Sequence, residues 1–183
     1  MTIFETPSVD DLPDDIRERI EAETEQAGFT PNVFPAMAYR PSHFRAFVDY
    51  YDALLEETTL ERPEIEMIVL AVSGLNGCHY CQVSHGAMLR VYGDDKFLAE
   101  QIASNHRIAD IGDEHTAMLD FAVKLTEHPG QVGRDDIAAL RDAGFTQMEI
   151  WDIGSVVSFY NLSNRMATLT DMQPNEEFYD MGR

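Results

Sequence analysis

Lysine is nearly absent from this chain of 183 residues: only Lys96 and Lys124 occur, beside 17 aspartates. In all, 13 basic residues face 33 acidic ones, for a net charge of -20. Binding to nucleic acid by counterion release needs clustered Lys and Arg, and the chain holds no such cluster. Neither a nucleic acid nor an anionic membrane surface is an expected partner. The surplus of carboxylates fits a salt-rich cytoplasm, where mobile ions screen self-repulsion, or an ordinary acidic bacterial protein. Either way it concerns solubility and not chemistry. No apolar run approaches the roughly 18 residues of a membrane-spanning helix. Met1 to Glu5 show no basic region followed by an apolar stretch, so no signal peptide is visible. A soluble cytoplasmic protein is the expectation. Cysteine is as scarce: a secreted disulfide scaffold would carry more than Cys78 and Cys81. One close pair points instead to redox or metal chemistry. No G-x-G-x-x-G and no P-loop occur, so no nucleotide cofactor is suggested.

What is present is helical nearly throughout, and no alternating stretch reads as a strand. Apolar residues make up 44%, enough for one real core. A single domain over 1–183 is expected, with an irregular extension at 1–12 and a tail at 170–183 that has no strong period. Pro13 and Gly28 bracket a first helix. Residues 29–40, with two prolines, read as an irregular apolar connection with at most one short helix. Helices follow over 41–57, 63–75 and 78–92, then from Asp94-Asp95 to about Ser104. Two more cover 113–128 and 134–143. Thr146 with Glu149 forms a capping box that opens the longest helix, to about Leu169. The expected fold class is all-α, a bundle of seven or eight helices. The stretch 63–75 is apolar almost all round, the mark of a buried helix.

The chemistry concentrates between Glu66 and Arg90. A buried helix is followed by a turn at Gly74-Leu75-Asn76-Gly77 and a second helix. This places Cys78 in the first helical turn, with Asn76 or Gly77 near the cap. Cys81 follows three residues later and His85 four beyond that, so the three share a helix face. Unpaired N–H groups and the positive end of the helix dipole favour a thiolate there. The C-x-x-C spacing lets two sulfurs approach bonding distance. His85 can carry a proton near neutral pH. Glu66, in an apolar helix, is costly unless used or paired, and desolvation would raise its pKa toward a proton carrier's range. In a helical hairpin it would face Cys78 or His85.

The other polar residues invite plainer readings. Cys78, Cys81, His85 and Glu66 could supply four zinc ligands, but structural zinc prefers two separated ligand pairs and no second pair exists. Tyr80 is expected to wall the site rather than donate to a sulfur. His43, His106, His115 and His128 read as surface or helix-end residues. Asn161, Asn164 and Arg165 suggest buried hydrogen bonding in the last long helix. The apolar segment from Phe29 to Met37 reads as an interface rather than a lid, because its aromatics would otherwise be exposed. The acid-rich stretches Asp10 to Glu25 and Glu176-Glu177 read as solvated faces.

Glu66, an eleven-residue gap, Cys78-His79-Tyr80-Cys81, three residues and His85 together form a pattern. It resembles the alkylhydroperoxidase D-like branch of the carboxymuconolactone decarboxylase superfamily. Pro31-Asn32-Val33-Phe34 through Arg40-Pro41, and Asn164-Arg165, resemble its peroxidase-related subgroup, so the likeness spans most of 29–169. The resemblance implies an all-helical fold assembled as dimers, trimers or hexamers. It implies thiol-dependent reduction of small-molecule hydroperoxides, reset by an external dithiol. By position Cys81 resembles the peroxidatic cysteine. Cys78 resembles its partner, relaying a proton and closing the disulfide, with His85 and Glu66 as the rest of the relay. Helix position by itself favours Cys78 as the lower-pKa thiol, so the two lines of reasoning conflict. Well-known members carry a histidine just before the second cysteine, where this chain has Tyr80. The decarboxylase branch lacks the dithiol. A disulfide oxidoreductase or redox sensor, a zinc-binding or assembly module, and an acid–base lyase or isomerase are the rival readings.

Overall fold

A computed structural model describes residues 4–183. Ten α-helices and three short 3-10 turns account for its regular structure, with no strand among the described residues. The helices are α1 (Asp14–Ala27), α2 (Val33–Met37), α3 (Pro41–Glu56), α4 (Arg62–Leu75) and α5 (His79–Gly93). After them come α6 (Leu98–Asn105), α7 (Gly112–Glu127), α8 (Arg134–Asp142), α9 (Gln147–Leu169) and α10 (Glu177–Asp180). Eight of these exceed one and a half turns, as the periodicity predicts. No helix among the described residues is long and apolar enough to cross a membrane.

Helix α4 is the axis of the bundle. Every residue from Ile65 to Ser73 is buried, and α5, α6, α7 and α9 pack around it. A helix apolar on all sides has no face to give to water, so it must be surrounded. Its start is set by a capping box between Glu61 and Glu64, in which the Glu61 N–H donates to Glu64 Oε2 at 2.7 Å. The same device opens α9: Thr146 N–H donates to Glu149 Oε2 at 2.6 Å, and Glu149 N–H to Thr146 Oγ1 at 3.3 Å. Pro13 is the cap residue of α1, and Gly28, at φ 80, ends it.

Three expectations change on folding. Helix α6 begins at Leu98 and not at Asp94-Asp95. Asp94 closes α5 in a left-handed conformation (φ 51), and the Asp95 carboxylate caps a later start by accepting from the N–H groups of Phe97 and Leu98. The segment from Phe29 to Met37 is covered by the chain itself. Phe34 packs with Ile16, Ile20 and Phe44 in a second core, and Phe29 meets the edge of Phe178 at 5.0 Å. Its aromatics therefore no longer call for an interface. Finally, the tail is docked. Met172 and Phe178 are buried against α5, and the buried guanidinium of Arg90 donates to the carbonyls of Phe178 and Met181, each at 3.0 Å. That anchor is one charged side chain and two apolar ones, which leaves no period to read. In the N-terminal extension, Val9–Asp11 form a 3-10 turn and Leu12 is buried; residues 1–3 of it lie outside the described residues.

Helices α4 and α6 touch backbone to backbone at Gly74, where an added Cβ would run into the carbonyl oxygen of Ala103. Gly74→Ala is expected to destabilise the fold by about 1–3 kcal/mol, the usual cost of overpacking. Gly130→Ala, which meets no neighbour, should stay within about 0.5 kcal/mol of wild type. Urea unfolding of both variants checks this; equal midpoints would contradict the close approach.

Candidate active site

The turn after α4 places the first cysteine. Gly77 takes a left-handed conformation (φ 63), which lets the chain reverse within two residues. Cys78 then lies extended (φ -77, ψ 97) and is itself the cap residue of α5, one step earlier than the spacing suggested. Its sulfur accepts the N–H of Cys81 at 3.4 Å. A serine or threonine hydroxyl usually fills this role. A sulfur there sits at the positive end of the helix dipole and gains from carrying charge.

The two sulfurs are 2.7 Å apart, both thiols are free, and both are buried. Hydrogen bonding with Cys81 lowers the Cys78 pKa; burial opposes this, while the Cys81 N–H and Asn164 add to it. The Cys81 pKa is pushed up, first by the hydrogen bond with Cys78, then by burial and by the charge on Cys78. With both protons present either thiol can donate. Once one is lost, Cys78 is favoured as the thiolate, because it alone also holds a backbone N–H.

Asn164, expected to serve buried hydrogen bonding, does so beside the sulfurs. Its Oδ1 accepts from Asn76 Nδ2 at 2.9 Å and its Nδ2 donates to Ser73 Oγ at 3.0 Å. It favours the ionised form of both cysteines, and Ser73 does the same for Cys81. Asn161, half-buried, accepts from Asn76 and donates to Thr126, and Arg165 is exposed. The signs of Asn164 in the sequence are an amide in the core-facing register of α9 and the likeness of Asn164-Arg165 to the peroxidase-related subgroup.

Glu66 meets His85 and not the cysteines. The residue is 0% exposed. Oε2 lies 2.7 Å from His85 Nδ1, and Oε1 accepts from Arg62 Nε at 2.8 Å. Two charge-assisted partners offset much of the desolvation of a buried carboxylate. Arg62 is the functional neighbour that sequence reasoning missed, although it stands one turn before Glu66. The His85 ring packs edge-on against Tyr160 at 4.9 Å, and burial raises the Tyr160 phenol well above its ordinary value. No hydrogen bond joins His85 to either sulfur among the described residues. No group of three or more His, Cys, Asp or Glu is placed to hold a metal among them.

Tyr80 walls the site: its hydroxyl accepts the Val33 N–H at 3.2 Å, and its ring meets the edge of Phe178 at 6.4 Å. With Phe29, Met172 and Ala167 these residues roof the dithiol. His79 points outward to the Tyr179 hydroxyl, 3.0 Å away. His106, read as a surface or helix-end residue, stands at the end of α6 and is buried there, with its Nε2 2.6 Å from Asp120 Oδ1. His115 is half-buried beside Glu64, and His43 and His128 are exposed. A cavity of about 660 Å³ between α4, α6, α7 and α8 is lined by none of the four site residues.

Known proteins resemble this chain. The model of the carboxymuconolactone decarboxylase family matches residues 41–127, which include Glu66, Cys78, Cys81 and His85. The crystal structure of an alkylhydroperoxidase core, an uncharacterized peroxidase-related protein from Ralstonia eutropha JMP134, is 48% identical. The likeness covers 100% of this chain and 96% of that one, with a TM-score of 0.96. An uncharacterized peroxidase-related protein from Silicibacter sp. TM1040 is 38% identical over 100% of this chain and 96% of its own, with a TM-score of 0.94. The alkyl hydroperoxide reductase AhpD of Gluconacetobacter diazotrophicus is 37% identical over 70 residues. That match spans 38% of this chain and only 37% of the reductase.

The thiols should titrate in two separate steps, the first below the ordinary thiol value of about 8.5. Cys81→Ala removes the donor to the Cys78 thiolate and Asn164→Ala removes another, so each should move that first step to higher pH. Thiolate ultraviolet absorbance against pH reads this directly. A first step that both substitutions leave unmoved would remove Cys78 as the first thiolate.

Proposed function

Because the chain belongs to the carboxymuconolactone decarboxylase family, in its alkylhydroperoxidase D-like, peroxidase-related branch, we propose that it is a thiol-dependent peroxidase. Its substrates on this reading are alkyl hydroperoxides, reduced through the Cys78–Cys81 dithiol. One observation carries the reading: two free sulfurs 2.7 Å apart at the start of α5, one of them favoured as the thiolate. The role that the family pattern gives Cys81 and the electrostatics that favour Cys78 are compatible if Cys78 is the base.

In that sequence the Cys78 thiolate takes the S–H proton of Cys81 as the Cys81 sulfur attacks the distal peroxide oxygen. The S–O bond forms and the O–O bond breaks, leaving Cys81 as a sulfenic acid. The departing alkoxide takes the proton now on Cys78 and leaves as the alcohol. Cys78 then attacks the Cys81 sulfur and closes the disulfide. Hydroxide departs and is protonated to water by His85, whose imidazolium Glu66 steadies. His85 makes no direct bond to sulfur, so a water or the substrate oxygen links the two. An external dithiol returns the pair to the reduced state by exchange. A cytoplasmic location accords with that need for a reducing partner.

Mixing reduced protein with one equivalent of tert-butyl hydroperoxide should remove both thiols rapidly and yield an internal disulfide. Cys81→Ser should form none. Thiols that persist for hours would sink the peroxidase reading. Glu66→Gln keeps the shape but loses the charge that holds His85, and should slow turnover by about 10²-fold, the scale of general acid–base assistance. A second reading rests on the Glu66–His85 pair standing apart from the sulfurs. Acid–base lyase or isomerase chemistry would survive alanine at both cysteines, whereas peroxidase activity would not.

A further inference from the structure

Helix α5 has a second polar face, apart from the one that carries Cys78, Cys81 and His85. His79, Val83, Gly86 and Arg90 follow one another along it at the spacing of neighbours on a helix surface. With α6 and the docked tail this face lines a cleft of about 310 Å³, room for about ten water molecules. Two guanidinium groups and one carboxylate meet there. Glu100 Oε1 lies 2.5 Å from Arg183 Nη2 and 3.6 Å from Arg90 Nη1, and the second distance is too long for a hydrogen bond. The Arg90 side chain is only 4% exposed. Its Nε and Nη2 donate to the carbonyls of Met181 and Phe178. Its Nη1 makes no hydrogen bond among the described residues and opens on the cleft. Gly86 keeps the space beside it clear, since a Cβ there would stand 3.4 Å from Nη1. Burial, and then the charge on Arg183, hold the Arg90 guanidinium below its ordinary pKa, and Glu100 does not make up the difference.

This balance runs against the rest of the chain. Over the whole sequence 33 acidic residues face 13 basic ones, so a carboxylate is the easiest partner for a cation to find. In the cleft two cations share one. A donor left free on a buried guanidinium is costly unless something fills the place beside it.

We infer that the cleft binds a small organic anion, its carboxylate or phosphate group received between Arg90 and Arg183. Guanidinium groups match the oxygens of both groups in shape and charge. Val83, Ala99 and Ala103 offer an apolar wall to a short carbon skeleton. Glu100 is half exposed and yields its place on Arg183 by turning into water. A cation would meet two guanidinium groups, and a neutral molecule would leave their surplus charge uncovered. Once bound, the anion joins α5 to the tail beside Phe178, whose carbonyl Arg90 already holds. The site lies on a different face of α5 from the sulfurs, so the inference does not depend on peroxide turnover.

Titration calorimetry on the intact, reduced chain in about 0.1 M sodium chloride tests this with inorganic phosphate, succinate and the neutral succinamide. Phosphate or succinate should saturate a single site with a Kd below about 10 mM, and succinamide should not bind. Whichever anion binds more tightly identifies the group that the cleft receives. Arg183→Gln leaves the Arg90 anchor of the tail in place and should weaken binding about tenfold or more, the scale of a lost hydrogen bond to a charged group. Glu100→Gln removes the competing carboxylate and should tighten binding several-fold. Glu127→Gln removes a charge of the same sign outside the cleft and should do neither. Failure of both anions to bind below about 10 mM overturns the proposal. So does binding that Arg183→Gln leaves unchanged, or that Glu100→Gln and Glu127→Gln alter alike.

Discussion

A carboxylate in the middle of a fully surrounded helix constrains the packing on every side of it. Glu66 is the one ionisable residue among the buried positions from Ile65 to Ser73. Left unpaired, its charge would cost several kcal/mol. Arg62, one turn earlier, and His85, on the next helix, divide its two oxygens. For His85 to reach Glu66, α5 must cross α4 at one register. Cys81 stands one turn before His85 on the same helix, and Cys78 caps it. The acid–base pair and the dithiol are therefore not positioned independently: the bond that neutralises Glu66 also holds the start of α5 against α4. The short reversal at Gly77 makes the arrangement rigid from the other end.

What was legible in the sequence was local. Pro13 and Gly28 mark the ends of α1, Thr146 and Glu149 mark the start of α9, and the all-round apolar character of 63–75 marks the hub. Each signal acts within a few residues, through a cap, a missing N–H or a helical period. The residue types and spacing of Glu66, Cys78, Cys81 and His85 were legible for the same reason. The choice of partner was not. That Glu66 takes His85 depends on a helix crossing, and that Asn164 backs the sulfurs depends on a contact 88 residues from Asn76. The roof was misread for a related reason. Aromatics between Phe29 and Met37 need cover, but composition does not say whether a second copy or the chain's own tail supplies it. Phe178 supplies it, held by Arg90 through main-chain carbonyls that any sequence would present.

Placing a cysteine where a helix expects a cap ties the stability of α5 to the redox state of the pair. Reduced and ionised, Cys78 accepts the Cys81 N–H and answers the dipole. In a disulfide the same sulfur has no charge to offer, and the acceptor weakens. Whatever lowers the Cys78 pKa therefore also favours the dithiol over the disulfide. Burial works in the opposite sense, penalising the thiolate. Asn164 and the Cys81 N–H offset that penalty without bringing in water, which lets the sulfurs stay under the roof of Tyr80, Phe29 and Phe178 and still ionise. A pair stabilised in its reduced form takes electrons readily from an external dithiol. On the peroxidase reading, the geometry that favours the Cys78 thiolate as a base is thus the same geometry that would ease the return of the pair to its reduced state.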